Sequence, residues 1–160
     1  MSKTRDTRIS LPAPPEAVVE ALTSEAFLID RETSQGALEV AVSEASRDEN
    51  ELVQVVRMIR YAHGFGGIDR SRTEESEIRI HWDLPARSAT WSHTGPHSDR
   101  AAVSGTLRIE PEGAGSALVE TLVIDVRVPF IGGRIASMIL KGMNKGFPTY
   151  EQVVRRHVEG

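Results

Sequence analysis

One feature constrains this chain more than any other: its apolar residues change period near the end. Between Leu38 and Val128 they recur at every second position, and from Ile131 onward they recur at helical spacing. A period of two sends alternate side chains to opposite faces of a strand, whereas a period near 3.6 gathers them along one side of a helix. A chain with this pattern makes a run of strands and then lays one long helix on them.

The strands can be read in turn. Leu38, Val40 and Val42 share a face, the polar turn Arg47-Asp-Glu-Asn50 follows, and Glu51 to Tyr61 is the next strand. Ile78, Ile80, Trp82 and Leu84 alternate up to Pro85. Ala89, Trp91 and His93 align before the Gly95-Pro96 turn, and Val103, Gly105, Leu107 and Ile109 line up after it. Glu110-Pro-Glu-Gly-Ala-Gly115 is a strong turn signal. Leu118, Leu122, Ile124, Val126 and Val128 then form a last strand that stops at Pro129. Short turns between successive strands predict an antiparallel meander. Residues 62–76 break the alternation with Gly64, Gly66 and Gly67 and then mixed charges. They predict a long loop, serving as a lid or partner site, or equally a disordered segment.

Ahead of the meander, Thr7 to Leu11 alternates as a strand, and Pro12, Pro14 and Pro15 end it. Proline is tolerated in a first helical turn, where its missing N–H costs nothing. Glu16 to Leu22 therefore predicts a short helix with Val18, Val19 and Leu22 on one side. Ser24 caps a second helix bearing Phe27, Leu28 and Ile29, which Gly36 ends.

In the tail, steps of ~100° per residue put Ile135, Ile139, Gly142, Gly146, Tyr150, Val153 and His157 on one side, with Met143, Phe147 and Val154 at its edge. Arg134, Lys141, Lys145, Arg155 and Arg156 fall on the other side. One dry stripe and one wet one describe a helix lying on a sheet, with a kink expected at Pro148.

Composition narrows the function. The 160 residues suit a single domain spanning 1–160, and a net charge of −4 argues against a nucleic-acid partner. Without any cysteine, disulfides and thiolate chemistry are excluded. No apolar run approaches the ~18 residues of a membrane span, and the N-terminus lacks a secretory h-region, so a cytoplasmic location is expected. The tail from Phe130 carries five basic and two acidic residues, the wet face of a helix or a surface for an acidic partner.

The order of elements resembles the START-like superfamily, also called SRPBCC or helix-grip. The resemblance is carried by the opening Ile9-Ser-Leu-Pro-Ala-Pro-Pro-Glu-Ala-Val-Val-Glu-Ala-Leu-Thr23, by the middle strands, and by Val128-Pro-Phe-Ile-Gly-Gly-Arg-Ile135 at the passage into the last helix. It implies an α+β fold of about seven curved antiparallel strands wrapped around a long C-terminal helix, with two short helices after the first strand. It also implies an apolar cavity for a small ligand such as a lipid or polyketide-like compound, and it is closest to the superfamily's uncharacterised bacterial members. A cyclase-, dehydratase- or hydrolase-like enzyme and a protein-docking module without ligand are the alternatives.

Several residues are candidates for that cavity. Gly142 and Gly146 remove side chains from the dry stripe, either to leave a cavity or to let helix and sheet approach closely. Gly105 lies in the apolar phase of its strand. Tyr61, Trp82, Trp91, Leu122, Ile135 and Ile139 are expected core or pocket wall. Glu120 is in phase with Leu118 and Leu122; a β-bulge returning it to solvent is the preferred reading, and an inward carboxylate acting with His93 as acid and base is the alternative. Arg57 alternates with Val53, Val55, Ile59 and Tyr61, but Leu52, Val56 and Met58 on the opposite phase are as apolar, so its face stays open. His93 and His97 flank Gly95-Pro96, which forbids the helix that would align their rings, so no zinc site is expected. Gly64-Phe-Gly-Gly67 reads as a hinge, lacking the lysine and hydroxyl of a phosphate loop, and no cofactor is expected.

Overall fold

The computed structural model describes residues 1–64 and 67–160. Seven strands, β1 (Ser2–Leu11), β2 (Glu39–Arg47), β3 (Glu51–Gly64), β4 (Gly67–Asp83), β5 (Ser88–Thr94), β6 (Ala101–Glu112) and β7 (Gly115–Val126), form one sheet in the order β1-β7-β6-β5-β4-β3-β2. Every neighbouring pair is antiparallel. Helices α1 (Pro15–Leu22) and α2 (Glu25–Ser34) follow β1, and α3 (Gly132–Glu159) closes the described chain. This is the α+β helix-grip architecture, with β2 to β7 as the meander. β1 returns to pair with β7, from Ser2 opposite Asp125 to Leu11 opposite Ser116.

Local signals place the helices. Pro14 is the N-cap of α1 and Pro15 occupies its first turn. The Ser24 hydroxyl accepts from the Phe27 amide and so caps α2. Gly36, at φ +102°, makes the left-handed turn from α2 toward β2. α3 runs through Pro148 as one helix of 28 residues, about 42 Å long at the α-helical rise. Among the described residues no helix is long and apolar enough to cross a membrane.

Residues 62–76 depart from the expected loop. β3 and β4 continue past the sheet as a hairpin arm, with a register shift between Tyr61 and Ala62 that lets Ala62 face Asp69. Most of the arm from Gly67 to Glu75 is exposed on both faces. With no dry side to specify, charges fill both phases and the alternation disappears. The expected hinge at Gly64-Phe-Gly-Gly67 falls largely on residues 65–66, which lie outside the described residues. At the other margins β1 begins five residues before Thr7, and β7 ends at Val126 rather than at Val128.

Two apolar clusters share the concave side. The larger joins Ile9, Val18, Leu22, Phe27, Leu28, Leu52, Val56, Trp82, Leu118, Val153 and Val154 under α1, α2 and the C-terminal half of α3. The smaller is built on Leu122, Ile124, Val126 and Ala136 beneath the N-terminal half of α3. Asp30 ties α2 to α3, accepting from Arg156 Nη2 at 2.8 Å and lying 2.8 Å from His157 Nε2.

Candidate functional site

The register decides which side chains face the helices. Leu52, Trp82, Ala89, Leu107, Glu120 and Thr7 lie in one row across the sheet. Gln54, Ile80, Trp91, Gly105, Leu122 and Arg5 form the next. The third holds Val56, Ile78, His93, Val103 and Ile124. These rows carry the core residues, so they line the concave face. Arg57 has the opposite phase; it projects outward and pairs with Glu77 at 3.4 Å.

The preferred reading of Glu120 is overturned. β7 pairs with β1 and β6 through Glu120 without any register shift, so no bulge turns the carboxylate to solvent. It points inward, beneath α2 and α3. Burial raises its pKa, against the opposing pull of Tyr150, Arg31 and Arg5. The Tyr150 phenol faces the same carboxyl without completing a well-aligned hydrogen bond, and its own pKa is driven well above the usual value by burial and by Glu120. Both residues are deeply surrounded yet keep some accessible surface.

Around this pair lies a set of charges that the sequence reading did not single out. Arg31 Nε donates to Glu32 Oε2 at 2.6 Å, and Arg60 Nη2 donates to Glu32 Oε1 at 2.8 Å. Glu32 is 6% exposed, bridged by two guanidiniums. On the far side Arg5 Nη1 donates to Asn144 Oδ1 at 2.7 Å, and its guanidinium lies 5.4 Å from the Phe147 ring centre. A signal for these residues exists in the sequence. Arg31 and Glu32 follow Phe27 and Leu28 at three- and four-residue spacings, which continues the buried face of α2. Arg5 shares the phase of Ile9 and Leu11, and Arg60 that of Val56 and Met58.

His93 faces the same concave side but does not meet Glu120. Two strands and four residues separate them, about 16 Å between Cα atoms on standard sheet spacings. The imidazole instead sits near Arg60 and Glu32. Its pKa is lowered by burial first and by the Arg60 charge second, which favours the neutral ring. The shared acid–base pair of the sequence reading is therefore not assembled.

A cleft of about 270 Å³ opens at this end, between α3 and the β5–β6 turn. Its walls include Arg60, Tyr61, His93, Val103 and Ile139. A wider, open groove of about 790 Å³ includes Arg57, Glu75 and Glu77 in its lining. It gathers none of the inward charges around Glu120.

The remaining expected residues fall in different places. Trp82 is 1% exposed within the larger core cluster, away from the cleft. Trp91 contacts both clusters, and Leu122, Ile135 and Ile139 belong to the smaller one. Gly105 gives up its side chain to the Trp91 indole, since a Cβ there would lie 2.7 Å from the ring. Gly146 approaches the C-terminal end of α2: its carbonyl accepts from Gln35 Nε2 at 2.8 Å, and a Cβ would meet Gln35 Oε1 at 2.7 Å. Gly142 is exposed, with nothing within 4 Å of where its Cβ would stand.

A curved antiparallel sheet gripping one long C-terminal helix, with two short helices after the first strand, is the START-like, or SRPBCC, fold. Within it, the chain belongs to the family described as "Protein of unknown function (DUF2505)", matched over residues 6–158. An aromatase/cyclase from Streptomyces shares the fold with a TM-score of 0.67 and 16% identity, over 99% of this chain and 94% of that one. A START superfamily protein from Mycobacterium smegmatis aligns with a TM-score of 0.58 and 13% identity, over 98% and 97% of the two chains. A truncated norcoclaurine synthase from Thalictrum flavum gives 0.62 and 11%, over 99% and 94%. No curated protein matches the chain. At these identities the likeness is one of fold.

Proposed function

We propose that the space between the sheet and α3 binds a small, largely apolar molecule. The observation that carries this reading is the incomplete closure of the smaller apolar cluster. Trp91, Val103, Ile135, Ile139, Leu140 and Met143 pack against it while each stays only partly buried. The 270 Å³ cleft opens beside Ile139 and Val103, with Arg60, Glu74 and His93 among its polar walls; it is slightly smaller than the ~300–1,000 Å³ of most small-molecule sites. A helix–sheet interface serving stability alone would close over these side chains. Binding of Nile red, a neutral apolar dye, tests the reading. The parent protein is expected to bind it with a blue-shifted emission. Ile139→Trp, which fills the cleft, is expected to weaken binding severalfold while the far-ultraviolet circular dichroism stays the same. A parent protein that leaves the dye's emission unchanged contradicts the reading.

A second reading, in which a bound ligand is also transformed, is favoured by the Glu120–Tyr150 pair. Burial raises the Glu120 pKa, and a carboxyl that holds its proton to higher pH is better suited to act as a general acid. Glu120 and Tyr150, rather than Glu120 and His93, would then carry the proton. Turnover of a polyketide-like substrate that disappears in Glu120→Gln, with binding retained, supports this reading. Unchanged turnover in that variant removes it.

A further inference from the structure

Four buried side-chain atoms lack any hydrogen-bond partner among the described residues: Arg5 Nε, Arg31 Nη2, Gln54 Oε1 and Trp82 Nε1. Folded proteins pair nearly all such atoms, so each unpaired one calls for an explanation. Arg5 and Arg31 are the informative two. They belong to elements far apart in the chain, β1 and α2, yet the charge of each is felt at Glu120. Each has already spent one N–H, Arg5 on Asn144 and Arg31 on Glu32, and each holds another in reserve. Arg60, tied to Glu32, adds a third guanidinium to the same interior. Among these groups three guanidiniums face two carboxyls, Glu32 and Glu120, an excess of one positive charge; Glu74, opposite Arg60 on β4, stands instead beside His97 at 3.4 Å. The excess becomes two when Glu120 is protonated. A partly buried excess of positive charge is unfavourable without a counter-charge.

We propose that the ligand is an apolar molecule ending in a carboxylate, which the reserved N–H groups of Arg5 and Arg31 receive. The proposal rests on the apolar-cavity reading above and names the class of molecule that fills it. A carboxylate suits the arrangement in three ways. Its oxygens accept charge-assisted hydrogen bonds from guanidinium N–H groups, which is what the reserved donors are. Its negative charge reduces the positive excess in either protonation state of Glu120. A protonated Glu120 beside it can donate to it rather than repel it. Apolar neighbours lie on that side: Arg5 shares its row with Leu122 and Trp91, and the next row holds Val103, which lines the cleft by Ile139.

Decanoate and 1-decanol, equal in chain length and different only in the head group, test the proposal by calorimetric titration and by Nile red displacement. The parent protein is expected to prefer decanoate by roughly tenfold or more, the scale of a charge-assisted pair in a sheltered site. In Arg31→Gln that ratio is expected to fall toward one. Arg5→Gln, on a different element, repeats the measurement should Arg31→Gln fail to fold. Equal affinity of the parent for both compounds overturns the carboxylate assignment and leaves the apolar cavity standing, with water on the two donors. A preference for decanoate that survives in a folded Arg5→Gln or Arg31→Gln overturns the assignment to these arginines. Failure of both compounds and of the dye to bind removes the cavity reading itself, and this proposal with it.

Discussion

The Trp91 indole lies over Gly105, its directly paired neighbour on β6. A Cβ at position 105 would stand 2.7 Å from the ring and 2.7 Å from the Thr121 carbonyl oxygen. The glycine is thus a seat for the largest side chain at the boundary between the two apolar clusters. Gly105→Ala is expected to lose ~1–3 kcal/mol of stability, the usual range for overpacking, and to shift the tryptophan emission. Urea denaturation checks the first effect and fluorescence the second. An alanine variant as stable as the parent would mean that the seat is not needed.

The two glycines of α3 are expected to respond differently to alanine. At Gly142 nothing opposes a new methyl group, so Gly142→Ala should gain up to ~1 kcal/mol from helix propensity. At Gly146 a similar gain is offset by crowding of Gln35 and by the loss of its hydrogen bond, worth ~0.5–1.5 kcal/mol. Thermal melting is expected to rise for the first variant and to stay within a degree or two for the second. Equal rises in both would show that the Gln35 contact contributes nothing.

Glu120 should make the protein less stable as the pH rises. Its native pKa is raised above the ordinary value of 4.5, so above that value the unfolded chain releases a proton that the native state holds. The native state accordingly loses stability as pH climbs through the interval between the two pKa values, and the penalty is complete above the native one. Glu120→Gln removes the penalty. It is expected to be more stable than the parent at pH 8, with the advantage shrinking to nothing below about pH 4, where the carboxyl is protonated in both states. Chemical denaturation at a series of pH values reads this directly. A difference independent of pH would place the carboxylate in water.

How much of this was legible depended on whether an element has a dry face. The alternation at Ile78-Ile80-Trp82 and at Leu118-Leu122-Ile124 is imposed by burial against the helices, and those strands could be read with their facing. The arm from Gly67 to Glu75 has no such face, so its charges looked like a loop. β1 was read only from Thr7 because its inward positions closer to the N-terminus, Lys3 and Arg5, are polar. Glu120 was in phase with its apolar neighbours throughout. The sequence favours a bulge there because the groups that make an inward carboxylate tolerable, Tyr150, Arg31 and Arg5, come from three distant elements, and only the fold brings them together. The glycines of α3 were recognised as gaps, but which gap is filled depends on Gln35, over a hundred residues away in sequence.

The central claim is that the concave interior is a binding site. Chemical-shift mapping of isotope-labelled protein during titration with decanoate tests it most directly, because it reports where a ligand sits without presuming how tightly it binds. Saturable shifts are expected at Arg5, Arg31, Trp91, Val103, Leu122 and Ile139, with little change at Arg57 and Glu77 on the outer face. Shifts confined to the outer groove, or none at all at millimolar decanoate, would contradict it.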